Sequence, residues 1–410
     1  MDAWHKLKPA GRGACAVDVA DIYPGAEQLV KVAGARIVHT KYVPDASKLA
    51  ELDEHAVKAA VLRSLARISR TPQAIQLHWW GESSDPQLRR VAAALEGLRV
   101  KDKYFRCLGV TNMGVDHLRA VCASATVGVA QVALSLLDRR ALEDQGVKHF
   151  CESNGICLVA YGVLCGGLLS ERWVGVAEPR EDEVAPSQRK YLARIRAQGG
   201  WAEFQALLRG VGTVAHRHGG VSFSTVAIAW SLHHASAVIV GCPRSTGSGT
   251  QEQRPDQLDC ALAALDLVLD DVELALLDRP PSQQLTQGNC ASQPGVYTDE
   301  RDISHPIGAT MAPWRDTAHL GPSAADEATE RARGDPDSPF VRDELAALGL
   351  LAIPESETSS NHLARVESHG VGGSWVQLAV ELQHARSCEG GTSQLAHLGM
   401  AAVDRLSIEL

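Results

Sequence analysis

Between residues 14 and 243 one pattern recurs: a short apolar run ends in a polar or small residue, and an amphipathic stretch follows. The runs are ACAVD (14–18), ARIVHTK (35–41), AIQLHWW (74–80), FRCLGVTN (105–112), VGVAQVALS (127–135), ICLVAYG (156–162) and AVIVGC (237–242). Each has the length of a strand buried on both faces and shows little polar alternation. Between them, stretches such as SKLAELDEHAVKAAVLRSLARIS and DPQLRRVAAALEGLRV return leucine, alanine and valine every three or four residues, the helical period. Asp85 and Pro86 suit an N-cap and a first helical position. DHLRAVCAS and STVAIAWSLHH read as further helices, with the His233–His234 doublet at a helix end or in a loop.

Strands alternating with helices predict parallel pairing through right-handed crossovers. Seven such units predict a parallel (β/α)8 TIM-type barrel over residues 1–320, with its first strand apparently lacking. The competing doubly wound sheet calls for a G-x-G-x-x-G turn after the first strand, and that turn is absent. An insertion over about 171–220 contains two helical pieces broken at Gly199–Gly200. Insertions of this kind sit on barrel loops and shape pockets. Past residue 275 the pattern fades, and residues 321–410 read as a helical or disordered C-terminal extension.

Composition narrows the partners. The 410 residues are 45% hydrophobic and 22% charged, with a net charge of −9. That is globular, and too acidic for a duplex-binding surface, so no nucleic-acid partner is expected. No apolar run reaches the ~18–20 residues that cross a bilayer, so no membrane partner is expected either. The opening MDAWHKLKPAGRGAC lacks an apolar signal region. The ten cysteines form no C-x-x-C pair and the histidines no H-E-x-x-H, so no metal site is expected. Scattered reduced thiols point to a cytoplasmic protein.

In a parallel barrel, reacting groups project from the carboxyl ends of the strands. Those ends carry Asp18 with Tyr23 beyond it, Lys41, His78 followed by Trp79 and Trp80, Thr111 and Asn112, Gln131, Tyr161, and then Arg244 and Ser245. The first four fit reduction of a carbonyl by a hydride donor. The nascent alkoxide needs a proton, and tyrosine can give one if a nearby ammonium lowers its pKa. Lys41 supplies that charge, Asp18 holds Lys41 protonated, and His78 orients the carbonyl oxygen. Asn112 and Gln131 suit a nicotinamide carboxamide, and Tyr161 suits stacking on its ring. Trp79 and Trp80 divide between packing and the pocket mouth, so both are candidate substrate-pocket residues.

On these pieces the chain resembles the aldo-keto reductase family: D-V-A-D-I-Y (18–23), H-T-K (39–41), I-Q-L-H-W (75–79), L-G-V-T-N (108–112), Q-V-A-L-S-L-L-D-R-R (131–140) and L-V-A-Y-G-V-L-C-G-G-L-L-S-E-R-W (158–173). The resemblance implies a catalytic tetrad of Asp18, Tyr23, Lys41 and His78. It places carboxamide contacts on Thr111, Asn112 and Gln131, and ring stacking on Tyr161. It implies NADP(H), with Arg244 and Ser245 where the family grips the 2′-phosphate, and a small-molecule carbonyl substrate.

The chain departs from that pattern at its start. Only 17 residues precede Asp18, room for a helix (WHKLKPAGR) but not for the family's first strand. A barrel short of one strand has two unpaired edges, so either the chain is truncated or another segment, such as the C-terminal extension, covers the gap. The turn after residue 242 is glycine-rich and long, and Arg254 is an alternative phosphate ligand. A second reading, favoured by the missing strand, is a non-catalytic nucleotide-binding redox sensor or regulatory barrel.

Overall fold

The computed structural model describes residues 15–278, apart from Pro24, Gly34, Arg36, Asp144, Ala185 and residues 242–256, together with residues 379–383. Arg244, Ser245, Arg254 and the helix expected over WHKLKPAGR lie outside the described residues, as does the rest of the C-terminal extension.

All seven apolar runs form strands: β1 (Cys15–Asp18), β2 (Ile37–Tyr42), β3 (Ala74–His78), β4 (Cys107–Thr111), β5 (Val127–Ala133), β6 (Cys157–Tyr161) and β7 (Ala237–Gly241). They pair in sequence order, each parallel to the next. The helices in chain order are α1 (Ala26–Ala33), α2 (Glu54–Ile68), α3 (Pro86–Val100), α4 (Val115–Cys122), α5 (Val147–Ser153), α6 (Pro186–Ala197), α7 (Gly200–Arg217), α8 (Phe223–His234), α9 (Gln257–Ala264) and α10 (Asp271–Leu277). Their starts follow from local chemistry. Asp53 accepts from the Ala56 amide at the head of α2, and Asp85 caps α3 with Pro86 next to it, satisfying amides that a helix start leaves bare. The insertion is the pair α6 and α7, interrupted at Gln198–Gly199, and His233 and His234 end α8.

The main core lies between the sheet and the helices and includes Leu65, Leu77, Leu95, Leu108, Phe204 and Trp230. A smaller cluster of Val17, Val19, Val30, Val38 and Ile68 roots β1 and the turn bearing Tyr23.

The place of the missing strand is filled. Residues Ala379–Gln383 form an eighth strand, β8, between β1 and β7, and the barrel is closed. β8 runs antiparallel to both neighbours. Ala379 is in register with Asp18 and Gly241, Val380 with Val17 and Val240, and Glu381 with Ala16 and Ile239. From Val380 to Gln383 the sequence V-E-L-Q alternates apolar with polar positions, a strand period inside a region expected to be helical or disordered. Its Val380 and Leu382 share register with Val17, Val238 and Val240, residues of the helix-facing cores. Closure pairs the two edges that seven strands alone would leave open.

Among the described residues, Cys107, Cys122, Cys151, Cys157, Cys165 and Cys260 are free thiols. No helix described is long and apolar enough to cross a membrane, and among the described residues no group of three or more ligating side chains could hold a metal.

Candidate active site

The barrel register aligns the expected residues at one end. Lys41 of β2 pairs with Gln76 of β3, His78 of β3 with Thr111 of β4, and Thr111 with Gln131 of β5. A parallel sheet puts the same face of neighbouring strands in register, so these side chains meet in one layer.

At its centre is a buried ion pair. Lys41 Nζ is hydrogen-bonded to Asp18 Oδ2 and donates to the Val19 carbonyl at 3.0 Å. Asp18 and Lys41 are 3% and 4% exposed, so each charge depends on the other for solvation. Burial alone would draw the Lys41 pKa down. The carboxylate of Asp18, with the Tyr23 phenol, more than offsets this and holds it above the ordinary 10.5.

Tyr23 sits in the turn after β1, where its amide donates to the Ala20 carbonyl and its carbonyl accepts from Ala26. The side chain is half-buried against the small core cluster. Lys41 Nζ lies 5.6 Å from the centre of its ring. The phenol is pushed up and not down, contrary to the sequence-based expectation. Burial raises its pKa above 10.0; Lys41 pulls it down as expected, but Asp18 and Asp21 push it up. Asp21 is itself raised to about 7, by burial and by Glu27, and both its carboxylate oxygens accept from the Val43 amide.

His78, at the end of β3, is 2% exposed and stacks on Trp80 with ring centres 4.6 Å apart. Trp79 points the other way, is fully enclosed and belongs to the main core. The pocket-wall expectation for Trp79 is therefore corrected: its side chain is enclosed in the main core, whereas Trp80 stays in contact with His78.

The residues expected at the nicotinamide form a connected set. Tyr161 donates from its hydroxyl to Asn112 Oδ1 at 2.7 Å, so Asn112 presents its Nδ2 as a donor. The backbone of Asn112 is left-handed, with φ 56°, a conformation asparagine tolerates better than most residues. Gln131 and Thr111 are 4% and 3% exposed. Adjacent amide and hydroxyl groups beside a tyrosine ring fit a flat heteroaromatic carrying a carboxamide, and the donor set suits nicotinamide.

Two features went unread in the sequence. Gln76, inside the run AIQLHWW, lies at the centre of the polar layer: its Nε2 donates to Asp18 Oδ1 at 2.9 Å, and its Oε1 accepts from Thr111 and Gln131. Its signal was the two-residue step to His78, which puts both on one face of β3. The other is α6, which brings Lys190 to 5.4 Å from the Tyr161 ring centre. Gly162, with φ 72°, lets this helix in: a Cβ there would stand 2.5 Å from the Tyr191 hydroxyl.

The profile of the Aldo/keto reductase family matches residues 9–279. A relative, the Flagellar radial spoke protein 5 of Chlamydomonas reinhardtii, is 32% identical over 178 residues, which take in 38% of this chain and 33% of that protein. The NADH-specific methylglyoxal reductase of Escherichia coli is 25% identical over 241 residues, covering 57% of this chain and 67% of its own. Among solved structures, the glycerol dehydrogenase of Gluconobacter oxydans superposes with a TM-score of 0.51 at 20% identity, over 68% of this chain and 82% of that one, and is similar in fold. With the family profile spanning the whole run of parallel strands, the chain belongs to the aldo/keto reductase family.

Proposed function

We propose that this chain is an NADPH-dependent reductase of aldehydes or ketones, with Tyr23 as proton donor. The observation that carries the reading is the buried Asp18–Lys41 pair set 5.6 Å from the Tyr23 ring. Nicotinamide, when bound, supplies the hydride. The protein's own groups do the rest. His78 orients the carbonyl oxygen, and the protonated phenol of Tyr23 gives up its proton as negative charge grows there. Lys41 offsets the charge left on the phenolate, and Asp18 keeps Lys41 cationic and aimed. A raised phenol pKa suits this direction, because the donor stays protonated throughout the neutral range.

Thr111, Asn112 and Gln131 would hold the carboxamide. Tyr161 would stack on the ring through the face not covered by Lys190. Arg244 and Ser245 are the proposed grip on the 2′-phosphate. One relative is NADH-specific by name, so both cofactors belong in the test. Trp80 would line the substrate mouth beside His78, and a reduced cytoplasmic setting suits the free thiols.

The test is Tyr23→Phe. It should abolish reduction across a carbonyl panel while leaving NADPH binding within about twofold, read by quenching of cofactor fluorescence. Full activity in this variant would refute the proton-donor assignment.

A second reading is favoured by one observation: the radial spoke relative is named for an assembly and not for a reaction. Under it the barrel binds nucleotide as a sensor or regulatory unit. NADPH quenching without turnover of any carbonyl would support it.

A further inference from the structure

We propose that Gln76 is a positioning residue for proton transfer, locking the Asp18 carboxylate in place and tying it to the strands that hold the nicotinamide. The inference rests on the proposed role of Tyr23 and deepens it.

Asp18 has both carboxylate oxygens committed. Oδ2 is paired with Lys41, and Oδ1 accepts 2.9 Å hydrogen bonds from the side-chain amides of Gln76 and Gln131. The carboxylate cannot swing away from Lys41 without breaking bonds on its other oxygen. Gln76 also fixes its own amide. Its Oε1 accepts from Thr111 Oγ1 at 3.3 Å and from Gln131 Nε2 at 3.1 Å. Turning the amide over would set oxygen against oxygen at Asp18 and nitrogen against nitrogen at Gln131. Gln76 is fully enclosed, so each of these bonds forms out of water, where an unmet partner is costly.

The site is also built to admit this side chain. Gly109 of β4 is the register partner of Gln76, and a Cβ at Gly109 would stand 2.8 Å from Gln76 Cγ. The glycine leaves room for the glutamine stem. The Gln76 amide joins Asp18 on β1 to Thr111 on β4, and it braces Gln131 on β5, which also reaches Asp18 directly. A shift of the carboxamide-binding side chains on cofactor binding would therefore reach Asp18, and through it Lys41 and Tyr23.

The test uses three variants of the full chain, with two readouts. Gln76→Met keeps the volume and removes both hydrogen-bonding groups; kcat for carbonyl reduction should fall about tenfold at every pH, the scale of one hydrogen bond to a charged group. Gln76→Glu should behave differently. While its carboxyl is protonated it donates to Asp18 as the amide did, and activity stays near wild type. As it ionises, two carboxylates face each other, and kcat should drop at least tenfold over a pH range where the wild type is flat. Gly109→Ala presses on Gln76 from behind and should give a loss like that of Gln76→Met. The second readout needs no turnover: ultraviolet difference titration of the Tyr23 phenol, taken against Tyr23→Phe. Once ionised, the carboxyl introduced by Gln76→Glu adds negative charge to the site and should move that titration upward. A side chain that merely packs predicts no new pH dependence in Gln76→Glu and an unmoved phenol. That result overturns the proposal. If wild type reduces no carbonyl, the reading of Tyr23 as proton donor fails, while the phenol titration still decides whether Gln76 governs the Asp18 charge.

Discussion

Replacing Lys41 by methionine isolates the energetics of the buried pair. The substitution keeps an unbranched chain of similar length and removes the ammonium, leaving Asp18 Oδ2 without its partner at 3% exposure. Breaking a buried ion pair from one side costs about 3–5 kcal/mol, because the surviving charge has neither water nor counter-ion. Against a total stability on the order of 5–15 kcal/mol, that is a large share. Asp18→Asn in the same chain removes the orphaned charge while keeping a carbonyl oxygen for the Gln76 and Gln131 amides, now 2.9 Å from Oδ1. The double variant should therefore recover most of the loss. The assay is equilibrium urea unfolding of wild type, both single variants and the double variant. Its pH dependence is also specified. Lys41 titrates above its ordinary 10.5 in the folded chain. The stabilisation is complete below that value and disappears as pH climbs through the higher folded pKa. The gap between wild type and Lys41→Met should thus be constant at neutral pH and close in strong alkali. If Lys41→Met unfolds at the wild-type midpoint, or the double variant is no more stable than the single one, the two charges are not solvating each other.

Other outcomes follow from the same site. The raised Tyr23 pKa predicts that alcohol oxidation, which needs the phenolate, keeps rising with pH up to and past 10.0, while reduction stays level through neutrality; a plateau of oxidation near pH 7 would contradict this. Asp21 is raised from 3.8 to about 7, so its contribution to stability is full below 3.8 and lost as pH rises through about 7. Asp21→Asn should remove that slope, read as the difference between the two melting curves across pH 4–8. Glu381→Pro, in the middle of β8 with a strand on either side, should delete a ladder bond and lower stability by about 1–3 kcal/mol, the cost of leaving its backbone partner unmet, detected as a fall in the thermal midpoint; an unchanged midpoint would mean that β8 adds nothing to the barrel.

The seven parallel strands were legible because burial on both faces writes each as a continuous apolar run, and helix starts such as Asp85–Pro86 carry their own caps. Asp18, Lys41, Thr111 and Gln131 were legible because strand ends in such a barrel share one rim. Gln76 was not: one amide in AIQLHWW resembles any tolerated polar residue until the neighbouring strands are assembled around it. Lys190 reached Tyr161 through a helix whose path no local period specifies. The phenol's titration depended on how deeply Tyr23 is covered, a quantity set by the folded turn and not by spacing. β8 is five residues long and its partners lie far off along the chain, so its weak alternation had nothing nearby to pair with.

That last strand sets an order on the birth of the protein. Among the described strands, the stave beside Asp18 is synthesised after the seven parallel ones, and it must slot between the first and the last of them. A nascent chain that has already made every residue proposed for proton transfer still holds an open cylinder while on the ribosome. Its two bare edges wait for residues 379–383, and until those emerge neighbouring chains could pair with one another instead.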